Sequence, residues 1–126
     1  MDEKHKQPGA ISWSELLTSD VAAAKSFYGQ LFGWDYEDVP ANDMTYSLVK
    51  ANGGEVAGIM PIPPDAGQMP PLWGVYVTVD DVDAAAEKAV ALGGKIHKPP
   101  QDIPNVGRFC VLGDPQGAFI SIISYL

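Results

Sequence analysis

The sequence predicts an α+β fold built from two tandem βαβββ modules, and three observations carry that prediction. A repeat runs at constant offset, each repeat has a helical apolar period, and turn signals cut the remainder into short strands. Asp20-Val21-Ala22-Ala23-Ala24 closes at Leu31-Phe32-Gly33-Trp34, and Asp81-Val82-Asp83-Ala84-Ala85-Ala86 closes at Leu92-Gly93-Gly94-Lys95. Both ends keep an offset of 61 residues.

The element order follows from these signals. Val21, Ala24, Phe27, Tyr28 and Leu31 fall on one helical face, as do Val82, Ala85, Ala89 and Leu92. Ser19 or Asp20 caps the first helix and Asp80 or Asp81 the second, while Gly33 and Gly93 stop them. A strand is expected before each helix, over 11–17 and 72–79. Three follow each helix: 34–38, 44–50 and 55–60 in the first half, 95–98, 107–112 and 118–124 in the second. Asn52-Gly53-Gly54 reads as a tight hairpin, and Asp114-Pro115-Gln116-Gly117 as a turn. Residues 61–71, with five prolines, read as an extended crossover. The expected plan is one domain over 10–126, with module one at 10–60, the linker at 61–71 and module two at 72–126. Residues 1–9 form a polar tail.

Composition narrows the function classes. The 126 residues are 46% hydrophobic and carry a formal net charge of -8. Arg108 is the sole arginine, so no nucleic-acid partner is expected. Cys110 is the sole cysteine, which excludes an intrachain disulfide, and its strand context reads as a small buried hydrophobe. No apolar run has the length of a membrane span or a signal peptide, so no membrane partner and a cytoplasmic location are expected.

The pieces Phe27-Tyr28 and Leu31-Phe32-Gly33-Trp34 with Asp114-Pro115-Gln116-Gly117, set in two βαβββ units, resemble the vicinal-oxygen-chelate superfamily. That group includes glyoxalase I, extradiol dioxygenases and bleomycin-resistance proteins. The resemblance covers residues 10 to 124 and implies an open, cup-like half-barrel of eight strands. It also implies metal ligands on the first and fourth strand of each half. Those positions map to Trp13 and Gly74, and to Met60 and Ser121, each pair 61 apart. Divalent metals in such sites require imidazole and carboxylate donors. These four residues supply none, and neither His5 nor His97 stands at a ligand position. The chain is therefore expected to bind no metal and no other cofactor.

Strand alternation extends the inward set. Ile11 and Glu15 join Trp13; Tyr76 and Thr78 join Gly74; Gly58 joins Met60; Phe119 and Ile123 join Ser121. Such an aromatic and aliphatic lining suits a small-molecule pocket or, equally, a core or interface. The candidate ligand-binding residues are Trp13, Glu15, Met60, Tyr76, Phe119 and Ser121. Glu15 is the candidate catalytic residue, since a carboxylate there can orient a ligand or serve as a base. Its alternative role is that of a strand-end acid paired with Lys50 or Arg108, or wetted by solvent. The leading expectation is a metal-free small-molecule binding protein. A metal-independent enzyme using Glu15 as acid or base comes next, and a structural or subunit role with a filled cup is the third. Exposed sheet edges favour a homodimer.

Overall fold

The computed structural model describes residues 6–41 and 44–126. His5 falls outside them. The elements run β1 (Ile11–Thr18), α1 (Val21–Phe32), β2 (Asp35–Ala41), β3 (Met44–Ala51), β4 (Gly54–Pro61), β5 (Leu72–Thr78), α2 (Val82–Ala91), β6 (Lys95–Ile103), β7 (Gly107–Gly113) and β8 (Phe119–Tyr125). This is the βαβββ order twice, an α+β fold. The strands hydrogen-bond in the order β2-β3-β4-β1-β5-β8-β7-β6. The chain divides into two compact units: Ser14–Trp73 forms one, and the described part of Met1–Trp13 with Gly74–Leu126 forms the other. Among the described residues, no helix is long and apolar enough to cross a membrane.

In the Ser14–Trp73 unit, β1 runs parallel to β4, and β2, β3 and β4 are antiparallel neighbours. Asp20 caps α1 by accepting from the Ala23 N–H at 3.0 Å, and Gly33 ends it in the left-handed conformation at φ 73°. The helix covers one sheet face, where Leu16, Val49, Ala57 and Ile59 are buried beneath Val21, Ala24 and Tyr28. Ile59 has no solvent exposure, so Ile59→Ala would open a cavity costing about 2–5 kcal/mol. The β3–β4 hairpin turns on Asn52 and Gly53, both at positive φ, the geometry that matches strand twist.

The second unit repeats this packing. Asp81 caps α2 through the Ala84 N–H at 3.1 Å. Val82 and Ala86 pack on Cys110, Leu112 and Ile122. The Cys110 thiol has no exposure, and burial pushes its pKa up, which suits a packing role.

Four expectations need correction. Phe27, Leu31 and Leu92 share the apolar helical period yet are 59%, 59% and 70% exposed. The sheet contact of α1 is narrow and is filled by Val21, Ala24 and Tyr28. Strand β2 continues through Pro40, and β6 through Pro99 and Pro100. Each lies outermost in its ladder, where a proline forfeits no interior hydrogen bond. The crossover is not wholly extended: Pro64–Ala66 form a 3-10 turn that begins on proline, where the fixed φ suits a helical start.

Candidate functional site

Each helix consumes one sheet face, so any site must be sought on the other. In the Ser14–Trp73 unit, register places Glu15 beside Gly58 and Gly58 beside Leu48, one row across β1, β4 and β3. Leu17 pairs with Met60 in a parallel row two residues on. Leu16 and Val49, on alternate positions, belong to the core under α1, so this row points away from the helix.

Tyr46 completes the arrangement. Its hydroxyl donates to Glu15 Oε1 at 2.8 Å. To reach there the ring lies across β4 at Gly58, where a Cβ would collide with Tyr46 Oη, Cζ and Cε1. The absent side chain is therefore what admits the phenol. The expected alternative partners of Glu15 are engaged elsewhere: Lys50 pairs with Glu37, and Arg108 holds Asp83 at 2.8 Å and Asp102 at 3.0 Å. Tyr46 was missed by sequence reasoning. Its available signal was Gly58 in a strand interior, a mark of close approach.

Of the other sequence-named residues, Met60 shares this unit while Trp13, Tyr76, Phe119 and Ser121 belong to the other. Tyr76 is buried at 9% exposure, and its ring centroid lies 6.3 Å from that of Phe109. Phe119 is 60% exposed and stacks on His97 with centroids 4.0 Å apart. Ser121 pairs with Tyr76.

Register also corrects one equivalence. Glu15↔Gly58 in the first module matches Tyr76↔Ser121 in the second, so Ser121 corresponds to Gly58, and Met60 corresponds to Ile123. The offset is 61 at β1 and β5 but 63 at β4 and β8. Two register shifts in β6 and a β6–β7 connection one position longer than the gap between Ala41 and Met44 add three residues, and the step into β6, where Lys95 answers Asp35 at an offset of 60, removes one. Even with this correction, Trp13, Gly74, Gly58, Ser121, Met60 and Ile123 offer no imidazole or carboxylate, and a divalent metal does not fit them. Among the described residues, no group of three or more His, Cys, Asp or Glu could hold a metal ion.

A recess of about 310 Å³ lies by the β6–β7 connection, lined in part by Asp102, Arg108, Ser124 and Tyr125. Its only cation, Arg108, is occupied by Asp83 and Asp102, whose hydrogen bonds hold the guanidinium more firmly protonated. It offers a ligand less than the face around Glu15.

The family model described as the Glyoxalase/Bleomycin resistance protein/Dioxygenase superfamily matches residues 10–122. CFP32 of Mycobacterium tuberculosis is 45% identical over 117 residues, covering 90% of this chain and 45% of its own length. The anthracycline biosynthesis protein DnrV of Streptomyces peucetius is 34% identical over 130 residues, covering 91% of this chain and 46% of its own. The chain thus spans about half the length of these curated relatives. Among solved structures, Streptomyces coelicolor methylmalonyl-CoA epimerase in complex with 2-nitronate-propionyl-CoA aligns with a TM-score of 0.67. It is 14% identical, with 94% of this chain and 99% of that one covered, a likeness of fold.

Proposed function

The chain belongs to the Glyoxalase/Bleomycin resistance protein/Dioxygenase superfamily, and from that premise we propose that it binds a small molecule without a metal, on the sheet face around Glu15. The observation that carries this reading is the Tyr46–Glu15 hydrogen bond laid over Gly58. A carboxylate is costly on a sheet face lined by Leu17, Leu48 and Met60 unless something compensates it. Here a phenol fixes its orientation, and the surrounding aliphatic and thioether groups suit the apolar body of a ligand. The carboxylate then selects a ligand hydroxyl or amine.

The same pair favours a second reading, a metal-independent enzyme. A carboxylate oriented by a phenol is a proton acceptor and donor set side by side, which suits acid–base work on a bound ligand. Binding is common to both readings and is tested first. One relative is named for anthracycline biosynthesis, so an anthracycline is the first probe. Calorimetry should show binding by the wild type and a loss of about 1.5–3 kcal/mol in Glu15→Gln, the scale of a hydrogen bond to a charged group. Equal affinities would remove Glu15 from the site.

A further inference from the structure

Strand β6 is irregular where its counterpart β2 is not. Ile96 pairs with Leu112 and Lys98 with Val111, so two steps along β6 answer one step along β7. His97 is the extra residue of a β-bulge. Ile96 and Leu112 belong to the core under α2, and Val111, one position from Leu112, points the opposite way. The bulge therefore turns two consecutive side chains, His97 and Lys98, onto the face away from α2.

Both find aromatic partners there. His97 stacks on Phe119 at an interplanar angle of 21°, and Lys98 Nζ lies 5.9 Å from the centre of the Phe109 ring. Gly113 makes room for the imidazole, since a Cβ there would come within 2.7 Å of His97 Nε2. Ser121 pairs with Val111, which pairs with Lys98, so a hydroxyl shares that row.

This face presents a cation in an acidic chain. With a net charge of -8, acids outnumber bases two to one. Lys25, Lys50 and Arg108 each sit in a salt bridge, whereas Lys98, like Lys6, Lys88 and Lys95, has no carboxylate partner among the described residues. Of the acids in this unit, Asp83 and Asp102 hold Arg108, and Asp114 caps its own turn through the Gln116 and Ala118 N–H groups.

We propose that the His97–Lys98 bulge, with Phe109, Phe119 and Ser121, binds the carboxylate of an organic acid with an apolar or aromatic body. Lys98 supplies the charge, and Ser121 and an imidazole N–H supply hydrogen bonds. The two phenyl rings hold the apolar portion. The proposal does not depend on the reading given for Glu15.

The test compares hydrocinnamate with its neutral amide, hydrocinnamamide, by amide-resolved NMR titration of the full chain. Hydrocinnamate should shift the amides of β6 around His97 and of β8 around Phe119, and the neutral amide should bind about tenfold more weakly. Lys98→Gln should weaken hydrocinnamate binding about tenfold, equivalent to about 1.4 kcal/mol, and Lys98→Arg should restore it. An unchanged wild-type pattern of backbone amides confirms that each variant is folded. Equal binding of the two probes, an indifferent Lys98→Gln, no binding at all, or shifts confined to the strands around Glu15 and Tyr46 would each overturn the proposal. A loss of anthracycline binding in Glu15→Gln would still stand in every one of those cases.

Discussion

Glu15, Tyr46 and Gly58 in one unit hold the same register positions as Tyr76, Phe109 and Ser121 in the other, and Glu37 the same position as Lys98. One backbone plan thus presents two chemistries. The first face has a carboxylate and a phenol joined by a hydrogen bond. The second has aromatic rings, a hydroxyl and an ammonium over the Phe109 ring. The helix-side ion pairs reverse as well: Lys25 on α1 meets Asp38 on β2, while Asp83 on α2 meets Arg108 on β7. The faces differ at a few alternating positions, and the pairing irregularities fall in different places, two in β6 and one in the β3–β4 ladder, while each helix packs on a buried apolar set of its sheet. A duplicated scaffold can diverge in recognition while its cores remain under the same packing constraint.

The sharpest way to break this comparison is at its glycine. Gly58→Ala should force the Tyr46 ring off β4 and cost about 1–3 kcal/mol as overpacking. Ser121→Ala, at the matching position, should stay within about 0.5 kcal/mol. Urea unfolding of both variants measures the contrast. In a Tyr46→Ala background the Gly58→Ala cost should vanish, and a cost that persists would mean that the ring is not what the glycine accommodates.

A smaller effect isolates the hydrogen bond. Tyr46→Phe retains the ring over Gly58 and removes the donor to Glu15, so stability should fall by about 1–2 kcal/mol. Anthracycline affinity should fall with it. A variant as stable as wild type would show that Glu15 is satisfied without the phenol.

The smallest effect concerns pH and should appear in both units. The Ser47 hydroxyl, at 2.6 Å, and then Lys25 hold the Asp38 carboxyl below the ordinary Asp range. Arg108 does the same for Asp83. A carboxyl that is more acidic when folded contributes stability in full above its unfolded pKa, about 4, and loses it as pH falls through the lower folded value. Denaturation midpoints should therefore drop on acidification below about pH 4. Asp38→Asn and Asp83→Asn should each flatten that drop. Wild-type acid sensitivity in both variants would assign it to other groups.

The fold was legible because its signals are local. Asp20 and Asp81 cap, Gly33 breaks, and Asn52-Gly53 turns, each through contacts within a few residues. The strand ends past Pro40 and Pro99 were not, since proline is tolerated there only by virtue of edge position, a property of the ladder. The drift from 61 to 63 was hidden for a related reason: a bulge is defined by its partner strand. The exposed Phe27 and Leu31 carry the same periodicity as buried residues, and only the width of the sheet contact separates them. Glu15 could be singled out by alternation along β1, whereas its bond to Tyr46 joins residues 31 apart and depends on the emptiness at Gly58.

The prolines of the outermost strands bear on how copies of this chain can meet. Pro40 in β2 and Pro99 with Pro100 in β6 lack the N–H that an incoming strand would need, and the β6 bulges bend its rim out of line. Neither rim is a template for strand addition, so the sheet resists growth into runaway edge-to-edge polymers. An orderly pairing of two copies would have to proceed through side chains, such as the outward row of Phe27, Leu31 and Phe32 on α1, rather than by extending the sheet.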